Sequence, residues 1–310
     1  MKAFLLGAGL GTRLRPLTEN LPKPLVPVLN RPLITYAMDH LVTDLGVEKF
    51  MINTHHCPEA YAEAFPENEY RGATLDFRHE PVLLDTAGGI DNIRDWLPGD
   101  DSFVVYNGDI LTGLPLEVAW EHHCDSENLA TLVLRSSGDE LRVGYDEASG
   151  QVVDLRGTLR PNWEKRYQFT GIYFVSPSFL KYIRPGVIES VVLSFLSAIE
   201  AGGKIGGYLA DEGEWSDLGE RESYLNAMEQ VVRATGERGV ERISTEAFVP
   251  EDCMIDGLSS IGAGAKIGPG ASIRESAIWP GATVEPGSSL HRVVVRSGMT
   301  AKGDLSNIDI

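Results

Sequence analysis

The segment Leu6–Pro27, LGAGLGTRLRPLTENLPKPLVP, gathers residue types suited to holding a polyphosphate. Gly7, Gly9 and Gly11 allow backbone N–H groups to approach a ligand with no side chain in the way. Arg13, Arg15 and Lys23 place positive charge beside them. The glycines run G-x-G-x-G, which is not the G-x-G-x-x-G of a dinucleotide fingerprint, and no G-K-[ST] ending marks a kinase-type phosphate loop. Pro16, Pro22, Pro24 and Pro27 keep the following residues out of a regular helix. Residues 1–35 carry five Lys and Arg against Glu19 alone, in a chain of net charge −18. Charges more than about 8 Å away are largely screened at physiological salt, so this local basic cluster points to a small anionic ligand. The acidic whole argues against nucleic acid and anionic membrane surfaces as partners.

Two carboxylates join this chemistry. Asp109 follows Asn107-Gly108 at the end of an apolar run, Ser102–Tyr106, and ligands collect at strand ends in open α/β sheets. A plain turn aspartate is the alternative. Asp217 closes Trp215-Ser216-Asp217, and with Glu220 it also forms a capping-box pattern before the last helix.

The Leu6–Pro27 segment resembles the signature of the sugar-1-phosphate nucleotidylyltransferases, G-x-G-T-R-L-x-P-L-T followed by P-K-P-L-x-P. The resemblance implies a doubly wound α/β domain of the GT-A-like nucleotidyltransferase type with a mostly parallel sheet. The implied reaction joins a sugar 1-phosphate to a nucleoside triphosphate, GTP or UTP, and releases pyrophosphate. It also implies nucleotide contacts from Leu6, Gly7, Ala8, Gly9, Gly11 and Thr12, with Arg13 gripping pyrophosphate and Lys23 neutralising phosphate near the reacting centre. Asp109 and Asp217 match the family's Mg²⁺ carboxylates. The stretch Leu84–Gly89 resembles the base-binding L-G-T-x-G, so Thr86 and Gly88 are base candidates, or Gly88-Gly89 only starts a helix. Asp85 stands where glycine is usual, as acidic residues do in muramate-1-phosphate uridylyltransferases. Asn107, Gly108, Gly144, Thr170 and Gly171 match sugar-facing positions. The family's E-K-P, whose lysine meets the sugar phosphate, is absent; Asp154–Thr158 stands there, and Arg156, Arg160 and Lys165 are the alternatives.

Such a reaction is an electrostatic problem, because the two substrates bring together about six negative charges near neutral pH. The attacking oxygen is an ionised phosphate, so no general base is needed. A non-catalytic sensor of the same architecture is the rival reading; such proteins typically lose the cations or the aspartates, and Arg13, Lys23, Asp109 and Asp217 are all present. Acyl transfer with His291 as base is a weaker rival.

The elements that must position these residues alternate. Leu33, Ile34, Ala37, Met38, Leu41, Val42 and Leu45 predict a helix closed by Gly46, and Lys49–Thr54 and Thr74–Arg78 predict strands. A helix is expected over Gly88–Leu97, further strands over Leu129–Arg135 and Phe169–Val175, and a last helix over Glu220–Ala234. From residue 249 the grammar changes. Ile255, Ile261, Ile267 and Ile273 are six apart, and Ile278, Val284, Leu290, Val295 and Ala301 continue the series. Glycine falls three residues after Ile261, Ile267, Ile278, Val284 and Val295 but not after Ile255, Ile273 or Leu290. That pattern predicts about three coils, each with two glycine corners and one without. The segment resembles the left-handed hexapeptide-repeat β-helix behind several nucleotidylyltransferases. The expected division is a catalytic domain over 1–243 and a β-helix over 249–310, the latter docking on the first domain or a second copy, with Trp279 as anchor, and dispensable for chemistry. Three scattered cysteines and the lack of a leader or spanning segment lead to the expectation of a cytoplasmic protein, with a homo-oligomer as its assembly.

Overall fold

The structure is a computed structural model that describes residues 1–310 apart from 98, 100 and 236–240. Its contacts divide the chain into two compact units, Met1–Leu10 with Tyr36–Trp215, and Gly11–Thr35 with Ser216–Ile310. This division falls elsewhere than a boundary at residues 243–249. The signature segment from Gly11 onward and the last helix group with the repeats, while Leu6–Leu10 stays with the first unit.

The main sheet of the first unit is built from β1 (Lys2–Leu6), β2 (Lys49–Thr54), β3 (Glu69–Tyr70), β4 (Ala73–His79), β5 (Phe103–Asn107), β6 (Ala130–Arg135), β7 (Leu141–Asp146), β8 (Gln151–Leu155), β9 (Arg166–Val175) and β10 (Ile205–Leu209). They form one sheet in the order β7-β8-β10-β6-β9-β5-β1-β2-β4-β3. The pairs β5–β1, β1–β2, β2–β4 and β6–β10 are parallel. The remaining pairs are antiparallel, including β9 with both β5 and β6. The sheet is therefore mixed rather than mostly parallel. Helix–strand alternation predicts parallel neighbours only where a helix intervenes, and β7, β8 and β9 follow one another without one.

Ala3, Phe4 and Leu5 are fully buried, as are Val104, Val105 and Tyr106, because these strands are covered on both faces. Helices α1 (Ile34–Leu45), α2 (Glu59–Ala64), α3 (Asp85–Asn92), α4 (Leu116–Cys124) and α5 (Val191–Glu200) supply the cover. Leu132 and Leu134 share a core with Ala87 and Ile90 of α3 and Phe195 of α5. The preceding Thr131, on the opposite face of the strand, instead meets His123 of α4, so helices lie on both faces and the sheet is doubly wound. Gly46 ends α1 at φ 59, with its N–H on the Val42 carbonyl. No helix among the described residues is long and apolar enough to cross a membrane.

The second unit holds α6 (Arg221–Thr235) and the repeats. Two- and three-residue strands stack in parallel into three sheets, the sides of a triangular coil. Ile261, Ile267, Ile273, Ile278, Val284, Leu290, Val295 and Ala301 fill the interior, each at most 1% exposed. The glycine corners Gly264, Gly270, Gly281, Gly287 and Gly298 sit at φ 67 to 75, where a Cβ is costly. The third corner turns without glycine, through Glu275 (φ 46) and Arg292 (φ 54). Buried serines brace it: Ser276 N–H donates to Ser259 Oγ, and Val293 N–H donates to Ser276 Oγ.

Candidate functional site

The signature loop leaves β1 at Leu6. Gly7 is held on both sides: its N–H donates to Asn53 Oδ1 at 2.7 Å, and its carbonyl accepts from Tyr61 Oη at 3.0 Å. A Cβ at Gly7 would lie 2.7 Å from Tyr61 Oη and 2.8 Å from the Asn53 carbonyl. Gly7 is thus demanded by close packing, and its N–H is engaged with protein rather than open to a ligand. Around Gly9 the Cβ position is open space, and Gly9 is exposed.

Asn53 continues the chain of bonds. Its Nδ2–H donates to Glu80 Oε1 at 2.8 Å, while Glu80 Oε2 accepts the Leu84 N–H at 3.0 Å. Glu80 is fully buried. This carboxylate therefore links the strand beside the glycine loop to the Leu84–Gly89 segment. No sequence pattern singled out Asn53 or Tyr61. A buried Asn–Glu pair 27 residues apart leaves no periodic trace.

Helix α3 starts at Asp85, three residues before the expected Gly88. Asp85 sits at φ 60, which explains why glycine suits this position and why an aspartate is tolerated. Thr86 Oγ1 accepts the Val191 N–H at 2.7 Å, and the Ala87 and Gly88 N–H groups both donate to the Glu189 carbonyl. Gly88 is buried, and a Cβ there would be 3.0 Å from the Val187 carbonyl. Both base candidates are occupied in clamping α3 to the start of α5.

Asn107 and Gly171, placed together by the β5–β9 pairing, are in contact: a Cβ on Gly171 would stand 2.5 Å from Asn107 Nδ2. Gly108 donates to the Leu6 carbonyl, which seats Asp109 next to the start of the glycine loop. Burial, with the Asp109 charge adding, pushes the Tyr61 hydroxyl well above the usual tyrosine range. Thr170 Oγ1 donates to the Val133 carbonyl, and the Thr170 carbonyl accepts from Trp215 Nε1 at 2.9 Å. Gly144 gives room to the Trp163 ring, 3.2 Å from its Cβ position.

In the second unit three of the four charged candidates meet. Lys23, 6% exposed and set by a short helical turn over Lys23–Leu25, puts Nζ 2.9 Å from Asp217 Oδ1. Arg13 Nη2 lies 3.5 Å from Asp217 Oδ2. The Arg13 guanidinium covers Gly219, where a Cβ would be 2.7 Å from Nη2. Gly219, unremarked in the sequence, is what lets the arginine lie there. Asp217 does not cap α6. That helix begins at Arg221, and Ser223 Oγ takes the Glu220 N–H, so the capping-box reading of Asp217 fails by three residues. A half-exposed carboxylate flanked by two cations can donate its oxygens to a divalent cation, and an incoming phosphate competes with it for the two cations.

A profile of the family described as Nucleotidyl transferase matches residues 2–234. The chain is 30% identical over 289 residues to mannose-1-phosphate guanylyltransferase of Mycobacterium tuberculosis, covering 89% of this chain and 79% of that one. The chain belongs to the sugar-1-phosphate nucleotidylyltransferase family. It is also 28% identical to UTP–glucose-1-phosphate uridylyltransferase of Synechocystis, covering 75% of this chain and 63% of that one. Among solved structures it resembles a putative glucose-1-phosphate thymidylyltransferase from Bacillus anthracis. The TM-score is 0.63 at 21% identity, covering 73% of this chain and 93% of that one, a likeness of fold.

Proposed function

We propose that this protein transfers a nucleotidyl group from a nucleoside triphosphate to a sugar 1-phosphate, with GTP and mannose 1-phosphate as the preferred pair. The convergence of Arg13 and Lys23 on Asp217 carries the reading, because it holds two loop cations ready for an incoming polyanion. A phosphate oxygen of the sugar 1-phosphate forms the new bond to the α-phosphorus, and the bond to pyrophosphate breaks. Arg13 takes the departing pyrophosphate charge, and Lys23 neutralises phosphate oxygens as charge moves toward the leaving group. The glycine loop and the Asn53–Glu80 link orient the nucleotide. Asp109 in the first unit and Asp217 in the second are each candidate oxygen donors for Mg²⁺, which when bound would add charge neutralisation at the phosphates.

Pyrophosphate release across a matrix of nucleoside triphosphates and sugar 1-phosphates tests this. GTP with mannose 1-phosphate should rank first. A higher rate with UTP would move the base assignment, and no release across the matrix would remove the activity. Asp109→Asn and Asp217→Asn should each raise the Mg²⁺ concentration needed for half-activation and lower the rate. Arg13→Ala and Lys23→Ala should each lower turnover about a hundredfold, the loss of roughly 2–4 kcal/mol of transition-state contact.

A further inference from the structure

His40 of α1 is an enclosed histidine that joins two places on either side of one turn. Its side chain is 9% exposed, with Nε2 2.8 Å from the Leu114 carbonyl and Nδ1 3.2 Å from Tyr106 Oη. A carbonyl only accepts, so Nε2 carries the proton and donates it to Leu114. Nδ1 is then bare and accepts from the Tyr106 hydroxyl. Tyr106 is fully buried, and burial, with the Asp44 charge adding, pushes that hydroxyl well above the usual tyrosine range, so it keeps its proton to donate. Burial also holds the His40 imidazole below its ordinary 6.5, against the pull of Asp44. The neutral ring in one tautomer serves both partners.

Those partners are the two limbs of the segment that carries Asp109. Tyr106 lies on β5 just before Asn107-Gly108-Asp109, and Leu114 closes the segment just before α4. Asp44, one turn along α1 from His40, adds a second fastening: its Oδ2 lies 3.3 Å from His40 Nε2 and accepts the Leu116 N–H at 3.3 Å. Within the segment, Gly108 N–H donates to the Leu6 carbonyl, and Thr112 Oγ1 donates to the Glu214 carbonyl. The Thr112 bond is exposed to water, whereas the His40 ring is enclosed, so the imidazole is the firmer hold on the downstream limb.

We propose that His40 is a positioning residue for Asp109, one imidazole fastening both limbs of the turn to α1 so that the carboxylate keeps a single orientation. The assignment rests on the reading of Asp109 as a metal donor above and deepens it. A carboxylate donor has to be held within about 0.5 Å of its working place, and losing a supporting bond behind a ligand costs roughly 10–100-fold in metal affinity. The ring acts on the turn through hydrogen bonds alone and moves no proton.

The test uses the full chain. His40→Phe keeps a ring in place and removes both bonds; it should raise the Mg²⁺ concentration for half-activation about tenfold, with KM for the sugar 1-phosphate held within about twofold. His40→Gln, whose amide can donate to Leu114 and accept from Tyr106, should recover part of that loss. His123→Gln disturbs buried bonds of the same kind between α4 and β6 and should leave the Mg²⁺ requirement unchanged. Tyr106→Phe cuts one arm and carries the same test, at about threefold, where His40→Phe does not fold. An unchanged requirement in His40→Phe or, in its place, Tyr106→Phe, no recovery in His40→Gln, or an equal shift in His123→Gln overturns the proposal. Amide hydrogen exchange in the metal-free chain gives a readout independent of turnover. Residues 108–113 should exchange roughly tenfold faster in His40→Phe than in the unaltered protein, and less so in His40→Gln. If the unaltered chain releases no pyrophosphate, the reaction reading fails on its own account, and unchanged exchange at 108–113 in His40→Phe still overturns the role of His40.

Discussion

Two residues outside the signature carry much of the site's order. Glu80 has both carboxylate oxygens committed as acceptors, one to Asn53 Nδ2 and one to the Leu84 N–H. Glu80→Gln replaces one acceptor with a donor in a buried place, which sets two N–H groups against each other. The cost should be about 1–3 kcal/mol of stability, read from the urea midpoint, with a severalfold higher KM for the nucleotide. Gly219 acts by absence of a side chain, because the Arg13 guanidinium fills the space. Gly219→Ala should push Arg13 aside and lower turnover at least tenfold with little change in thermal midpoint. Normal turnover in that variant would show that Arg13 works from another position.

At the scale of elements, α4 is tied to β6 by a buried histidine. His123 Nδ1 meets Thr131 Oγ1 at 2.9 Å, and Nε2 lies 3.2 Å from Ser102 Oγ. Burial, with the His122 charge adding, pushes its imidazole down to about 4 from the ordinary 6.5. The unfolded chain therefore binds a proton there that the folded chain refuses between those two values. Stability from this group is complete above about pH 6.5 and falls as pH drops toward 4, by up to roughly 3 kcal/mol. Denaturant midpoints measured across that window should slope downward toward acid, and His123→Gln should flatten the slope. An equal slope in both proteins would place the linkage elsewhere. The same scale explains why α3 starts early. The left-handed Asp85 and the Glu189 carbonyl set its first turn, and neither shows in apolar spacing.

In the second unit the repeats support the signature loop directly. Trp279, 4% exposed, donates from Nε1 to Tyr224 Oη at 3.0 Å, and Tyr224 donates on to the Pro27 carbonyl at 2.7 Å. Arg296 bonds Glu19 and the Pro16 carbonyl, and Asn30 Nδ2 donates to the Ile261 carbonyl. The expectation that the tail is dispensable for chemistry thus meets an obstacle, because these contacts brace the loop that carries Arg13 and Lys23. Trp279→Ala should cost about 3–5 kcal/mol by the urea midpoint. Arg296→Ala should lower turnover severalfold at nearly unchanged stability. Full activity in a chain cut after residue 243 would show that the loop holds its shape unaided.

The order of residues alone was enough for the phosphate loop and the coil, and the resemblance of Leu6–Pro27 to a family signature added the reaction class. A phosphate loop is a local object, so its glycines, cations and prolines are neighbours in the chain. The coil repeats with a short period, so Ile261, Ile267 and Ile273 announce it. The tertiary structure decided what depends on groups far apart in sequence. It gave Asp217 to Lys23, 194 residues away, instead of to a helix cap. It made the sheet mixed, since strand direction follows from which hairpins close. It also sorted cations alike in the sequence, setting Arg160 over the Trp163 ring and Lys165 beside Glu147, because a cation's availability depends on which partner the fold has already placed beside it.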